Sequence, residues 1–317
     1  PLAKGIVVDG VIKDQAALVK TLSELRQRFQ LSFVSISLPE EKGYILRIRI
    51  PKLPNQQIKE AVVAQLREHI PLNLEEIAFD YEIVAVLPSD FLIGLAALPK
   101  TIVGAYIEAF QNAGLVPVAC EIEAQAIARA AIPSSALGAA LVIDFGLVHT
   151  ALSVVDKGSV ALSATLKLGG AMLTDSLARS VNVTTEEAER MKRERGLSRA
   201  PEDRNTFASL VSPLSVLRDE VDRRMLYWTN QREGDGALPQ PITEVYLCGG
   251  ASNLKGLPEY LASNLDVPVT HVNPWINLFS FEEAIPPVSN EESLGYVTSI
   301  GLALRAFDRR RANILVL

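Results

Sequence analysis

The sequence predicts an α/β protein built in two halves, with a small α+β module set into the first. Three observations carry that prediction. Strands, helices and strands again follow one another without an internal repeat. A run of three strands occupies Leu141 to Leu168, turned at Asp144-Phe145-Gly146 and again at Asp156-Lys157-Gly158. A strand at Tyr44 to Ile50 sets Leu46, Ile48 and Ile50 against Arg47 and Arg49, the alternation of a sheet with one wet face.

The bulk properties narrow the function. A chain of 317 residues has room for two domains on the usual scale of about 100–200 residues each. Acids and bases are interspersed, the net charge is −6, and the one basic block is Arg309-Arg310-Arg311. Nucleic-acid binding needs a clustered cationic face, so this balance argues against it. Cys120 and Cys248 lie far apart in apolar surroundings, which suits reduced, buried thiols and neither a disulfide framework nor a zinc site. No apolar run reaches the roughly 18 residues of a membrane span, and no signal-peptide pattern appears.

Taken in order, Gly5 to Val11 is β-branched and leads into a helix whose apolar stripe is Ala17, Leu18, Leu22, Leu25 and Phe29. Phe33 to Leu38 is a strand stopped by Pro39. The strand at Tyr44 is followed by a helix over about 55–69 using Ile58, Val62, Leu66 and Ile70, then by a strand from Ala78 to Leu87. These pieces make a module over roughly 39–90. Pro99 opens a helix with Ile102, Val103, Tyr106, Ile107 and Phe110, stopped at Gly114. A strand and an alanine-rich helix follow, with Glu121 and Glu123 near the helix start.

Beyond the three central strands, Gly169-Gly170 introduces a helix through Leu173, Leu177 and Val181. Thr184-Thr185-Glu186-Glu187 reads as a capping box for a charged helix ending at Gly196. A long helix carries Leu210, Leu214, Leu217, Val221, Met225 and Trp228. The loop at 233–241 returns to a buried strand, Glu244 to Cys248. Gly249-Gly250 then opens a helix reaching Leu265, a strand covers Val267 to Val272, and a last helix runs from Leu294 to Phe307.

Three elements are candidates for chemistry. At Asp144-Phe145-Gly146, backbone N–H groups can face an anion while the carboxylate holds a hydrated Mg²⁺; the same residues equally suit a plain type I turn. Leu247-Cys248-Gly249-Gly250-Ala251-Ser252 lets a nucleoside lie against bare backbone, or is simply a tight strand-to-helix connection. Glu189 and Lys192, three apart on one helix face, can reach a ribose hydroxyl pair or stand as solvated surface charges.

The order of these elements, with "GGAMLTDSLARSVNVTTEEAERMKRERG", "VYLCGGASNLKGLPEYLASNLDVPV" and "SIGLALRAFDRRR", resembles the PilM family of type IV pilus proteins and, more distantly, the FtsA family. Both form a branch of the actin-like ATPase superfamily, and the resemblance runs over nearly the whole chain. It implies an actin-like (ribonuclease H-like) two-lobed fold with an inserted α+β subdomain. On that reading 1–38 begins the first lobe, 39–90 is the inserted subdomain, and 91–138 completes the lobe with a connecting helix. Residues 139–170 are the second-lobe core with a phosphate loop, 171–240 its helical subdomain, 241–293 the core again with an adenosine loop, and 294–317 a connecting helix and tail.

The resemblance also assigns roles. Asp144 and Gly146 form the second phosphate loop, with Thr150 as a nearby hydroxyl and Asp144 holding Mg²⁺ through water. Glu123 sits where relatives keep a polar residue near the γ-phosphate. Gly169 and Gly170 border the nucleotide, Glu189 and Lys192 face ribose and base, and Gly249, Gly250 and Ser252 form the adenosine loop. The implied cofactors are ATP and Mg²⁺. The implied function is a cytoplasmic scaffold at the inner-membrane face, at most a slow ATPase. It would hold the N-terminal tail of a PilN-like bitopic partner in a groove between the first subdomain and the inserted one. Other platform and motor proteins are further partners, and self-association stays open. A sugar-kinase-like phosphotransferase and a nucleotide-independent adaptor are the alternatives.

Two departures bear on the nucleotide. Leu147, Val148 and His149 stand where relatives place small or hydroxyl residues. The family's first phosphate loop has no match: Asp9-Gly10 precedes the first helix with no hairpin after it, so the missing strands are expected upstream of Pro1. ATP binding by the chain as given is therefore expected to be weak or absent. The tail Asn313-Ile314-Leu315-Val316-Leu317 resembles the apolar peptide such a partner offers, or is a plain C-terminal strand.

Overall fold

The computed structural model describes residues 2–136, 138–231 and 239–307. The tail Asn313–Leu317 and the centre of the 233–241 loop fall outside them. The chain forms two compact units. The first takes the residues up to Ala126, Ser159–Leu162 and the chain from Gly301; the second takes Ile127–Gly158 and Ser163–Ile300.

The first unit opens with β1 (Val7–Val8) and β2 (Val11–Ile12), paired antiparallel across Asp9-Gly10. Both turn residues have positive φ, 46° and 70°, the geometry that matches strand twist in a two-residue hairpin. The sequence reading placed no hairpin here, because strands of two residues leave no alternation to read. Helix α1 (Gln15–Phe29) is capped by the Asp14 carboxylate, which accepts from the Ala17 N–H at 2.9 Å. Only part of its expected stripe is used: Leu18 and Leu22 pack against Ala109, Ala113 and Leu115, while Leu25 and Phe29 stay exposed. Strand β3 (Phe33–Leu38) follows.

The chain then leaves into the inserted module: β4 (Tyr44–Pro51), α2 (Asn55–His69), β5 (Ile77–Val86) and β6 (Asp90–Pro99). The strands form an antiparallel sheet in the order β4-β6-β5. Ile58, Val62 and Leu66 of α2 bury against Ile48, Ile50, Ile77, Ile93 and Leu95. Strand β6, the centre of this sheet, lies beyond the expected boundary at residue 90, so the module's sheet continues to Pro99. Its apolar run Phe91–Leu98 is covered on both faces and so shows no period of two.

Helix α3 (Lys100–Asn112) ends where Gly114 takes a φ of 77°. Strand β7 (Val116–Ile122) returns to pair with β3 in parallel, and α4 (Glu123–Ala131) follows. Glu121, expected near a helix start, is instead on β7, where its buried carboxylate meets Arg305 at 2.6 Å. An acid there without its cation would be an uncompensated buried charge, worth about 3–5 kcal/mol.

The second unit is built on the five-stranded sheet β10-β9-β8-β11-β12. Strands β8 (Ala139–Phe145), β9 (Thr150–Asp156) and β10 (Ser159–Leu166) are consecutive, with Lys157 and Gly158 left-handed at the second turn. Helices α5 (Gly170–Val181), α6 (Thr185–Arg195) and α7 (Arg204–Asn230) come next. Thr184 caps α6 by accepting from the Glu187 N–H at 3.2 Å, while the Glu187 carboxylate accepts from Arg190. Leu210, Leu214, Leu217, Val221 and Trp228 form the buried stripe of α7.

Strand β11 (Ile242–Cys248) then pairs in parallel with β8. The single helix expected from Gly249 to Leu265 is two pieces: a 3-10 turn at Gly250–Asn253 and α8 (Leu257–Ala262). Gly256, at φ 82°, separates them. Strand β12 (Val269–His271) adds to β11 in parallel. In the long connection after it, the Asn277 amide donates to the Arg129 and Ile132 carbonyls at 3.0 and 2.7 Å, closing the open end of α4. A short helix α9 (Asn290–Ser293) comes next, and the last helix, expected from Leu294, begins at Val297 as α10 (Val297–Phe307).

Gly301 on α10 lies against the backbone of Ala126 on α4. A Cβ there would collide with the Ala126 carbonyl oxygen and come within 2.5 Å of its carbon. Neither backbone can yield cheaply, so overpacking should destabilise by about 2–3 kcal/mol. Gly301→Val is expected to lower the urea midpoint accordingly, measured by circular dichroism beside Gly104→Ala, whose site is open.

Candidate functional site

One end of the second unit's sheet gathers most of the residues singled out in the sequence. The parallel register sets Cys248 opposite Asp144, so the loops that leave β8 and β11 emerge side by side. Gly249 turns over the first loop at φ 82°, where a Cβ would meet the Asp144 carboxylate and the Phe145 carbonyl, the latter at 2.5 Å. Only glycine satisfies both the angle and the contact. Gly169 makes a second close approach: a Cβ there would stand 2.5 Å from the Leu147 carbonyl oxygen and 2.7 Å from the Val148 carbonyl carbon.

Beside these loops lies a cleft of about 510 Å³. Gly170 and Leu173 of α5, Glu189, Lys192 and Arg193 of α6, Gly250 to Lys255 in part, and Glu291, Glu292 and Gly295 line it, with Leu147 at its edge. Gly170, Glu189, Lys192 and Gly250 are thus among the residues that line the cavity. Asp144, Gly146, Gly169 and Gly249 form the backbone corner behind it.

The wall made by α5 and α6 is a knot of hydrogen bonds. The Lys192 ammonium, almost wholly buried, reaches Glu189 at 2.6 Å, Thr174 Oγ1 at 2.8 Å and the Gly170 carbonyl at 3.0 Å. Thr174 Oγ1 also bonds Glu189 at 2.5 Å, and Arg193 Nε donates to the other Glu189 oxygen at 2.8 Å. Burial by itself would raise the Glu189 pKa. Hydrogen bonds from Lys192, Thr174 and Arg193 and the Lys192 charge outweigh it and hold the carboxyl down at about 2. The opposite wall is strapped to α6: Lys255 Nζ donates to the Glu194 carbonyl at 3.0 Å, and the Leu197 N–H donates to the Lys255 carbonyl at 2.9 Å.

Other expected site residues are placed differently. Thr150 is fully buried, and its hydroxyl donates to the Leu168 carbonyl at 2.6 Å, away from the cleft. Ser252 is also fully buried and closes its own turn on the Gly249 carbonyl at 2.7 Å. Glu123 belongs to the first unit, in the first turn of α4. Sequence reasoning missed Asn253, Lys255, Glu291 and Glu292 as lining residues. The last two had a signal, since Ser289 and Glu292 form a capping box that fixes the chain at the cleft rim.

Asp144 is the half-buried acid of this corner. Desolvation pushes its pKa up to about 6, opposed by a hydrogen bond from Cys248. Among the described residues no three His, Cys, Asp or Glu side chains gather to hold a metal ion. Asp144 thus offers Mg²⁺ one carboxylate, a partner through water and not a cage.

Comparison with known proteins follows the same outline. The sequence profile described as Type IV pilus assembly protein PilM matches residues 1–307. Among solved structures, a PilM–PilN type IV pilus biogenesis complex is similar with a TM-score of 0.77 and 26% identity, covering 97% of this chain and 90% of that one. MreB5 of Spiroplasma citri bound to ADP gives a TM-score of 0.53 at 15% identity, covering 96% of this chain and 78% of that one. The same protein bound to AMPPNP gives 0.54 at 14% with the same coverage. The fold is that of the actin-like ATPases.

The Asp144 corner yields a pH signature. Its folded pKa lies above the ordinary 3.8, so the unfolded chain loses this proton first and the folded state bears a penalty that grows between pH 4 and 6 and is complete above about 6. Asp144→Asn keeps the shape and removes the charge. The variant should match the parent's stability near pH 4 and exceed it by about 3 kcal/mol at pH 7.5, read from denaturant midpoints across that range.

Proposed function

The chain belongs to the PilM family of type IV pilus assembly proteins, and on that premise we propose that it is an actin-fold scaffold of the pilus assembly platform, holding a PilN-like membrane partner by that partner's N-terminal segment. The observation that carries this reading is the match to the PilM–PilN complex over nearly the full length of both chains. In this reading the partner's N-terminal tail lies extended between the first subdomain and the inserted one. No described helix is long and apolar enough to cross a membrane. In this reading the protein works at the cytoplasmic face of the inner membrane, held there with its partner.

In this reading the cleft beside Asp144 is the nucleotide pocket, and Glu189, Lys192, Gly170 and Gly250 are its walls. A bound nucleotide would serve as a structural or switching ligand. In this reading ATP turnover is at most slow.

The test is a titration of the chain with a synthetic peptide carrying the cytoplasmic N-terminus of a PilN-like protein. We expect one-to-one binding at about 10 µM or tighter, with a scrambled peptide at least tenfold weaker. Equal affinity for both peptides, or none for either, would sink the scaffold reading. Asp144→Ala in the same assay is expected to weaken the peptide if nucleotide occupancy supports the groove.

A further inference from the structure

We propose that the second unit carries a separate peptide groove beside its edge strand β12, and that the groove takes the segment 309–317 of a second copy of this chain.

The groove is a cleft of about 540 Å³. It shares Asn253, Leu254, Lys255 and Glu291 with the cleft beside Asp144, and its other walls are its own. Pro258 and Glu259 of α8 line it, as do His271, Val272 and Asn273 at the end of β12. Strand β12 is the last strand of its sheet. The Val245 N–H donates to the Pro268 carbonyl, and the Val272 N–H donates to the Leu247 carbonyl, so residues 268 and 272 face β11. Alternation then turns the backbone N–H and C=O of Val269 and His271 away from the sheet, where an extended segment can pair with them.

The lining supplies what such a segment needs. The Asn253 amide donates to the Glu291 carbonyl at 2.9 Å, and its side-chain oxygen is left to accept. Asn273 Oδ1 accepts from the Trp275 N–H at 3.1 Å, and its NH₂ is left to donate. Phe281 lies 50% exposed at the groove and, with Pro258, offers apolar side chains a place to bury.

Charge selects the occupant. The exposed carboxylates of Glu259 and Glu291 stand in the lining, and Glu282 adds a third acid next to Phe281. Lys255 is the one lysine or arginine of the lining, and its ammonium is drawn off to the Glu194 carbonyl at 3.0 Å. An acidic groove with an apolar side calls for a segment that is cationic, then apolar. The sequence 309–317, outside the described residues, reads RRRANILVL. Arg309, Arg310 and Arg311 match the acids, and the Ile314 to Leu317 run has the composition that favours an extended backbone. In such a contact the surface that gives differs from the surface that receives. Each copy can do both, so the assembly is heterologous, a row or a ring of copies.

The experiment is sedimentation velocity of the full chain across concentration, at low and at high salt. We expect reversible self-association with a dissociation constant of about 50 µM, at least about fivefold weaker at high salt. Reversing the groove (Glu259→Lys with Glu291→Lys) should weaken association at least about tenfold, and so should reversing the segment (Arg309→Glu, Arg310→Glu and Arg311→Glu). Mixing the two reversed chains should restore it, because each groove then meets a segment of opposite sign; that recovery also shows both chains to be folded. Phe281→Ala, which leaves every charge in place, should weaken association by about fivefold. A chain that stays monomeric, or a mixture that stays apart, overturns the proposal. Loss on reversing the segment without loss on reversing the groove would put the segment on another surface, and overturns it too. Unchanged association in Phe281→Ala has the same force.

Discussion

The parallel pairing of β8 with β11 is the constraint on which the rest of the second unit depends. Two strands about a hundred residues apart in sequence must lie side by side with Cys248 opposite Asp144. From that register everything at the site follows. The two loops leave the sheet at its C-terminal edge, where α/β sheets place their ligands, and they must pass each other at backbone distance. Gly249 and Gly169 make that passage possible. A side chain at either position would push the loops apart and open the corner to water.

The same corner shows how a site can be rigid and weakly polar together. Lys192 is a buried cation, costly to desolvate, and its three partners repay that cost only while all three hold. Such a knot fixes α6 against α5 before any ligand arrives. Lys255 does the same for the other wall. A preformed cleft of this kind suits a ligand that is part of the architecture, which supports the scaffold reading over one that demands rapid turnover.

Much of this was legible in the sequence, and the exceptions have physical causes. The glycine pairs, the charged helix behind Thr184 and the three central strands all announced themselves, because turn chemistry and capping act over a few residues. Strand β6 did not, since a strand covered on both faces has no alternation. The helix after Gly250 was read as continuous because Gly256 sits in an otherwise helical apolar pattern, and only its left-handed φ reveals the break. Thr150 and Ser252 take their expected ligand contacts from position in the family resemblance. Whether a hydroxyl faces a ligand or the Leu168 carbonyl is set by the packing of residues distant in sequence. The engagement of Lys192 with Thr174 joins two helices and leaves no local mark in the sequence.

The inserted module has a consequence for the order in which this chain assembles. Strands β3 and β7 pair in parallel across everything from residue 39 to 115, a contact whose loop-closure entropy makes it intrinsically slow. Within that excursion, Tyr44 at the start of β4 is the register partner of Ala97 near the end of β6. The module's entry and exit are thus brought together by its own antiparallel sheet. Once that sheet has formed, the long loop is already closed, and β3 and β7 have only short connections left to span. The insertion acts as a folding clamp: it shortens the search for the parallel pair that it interrupts in sequence.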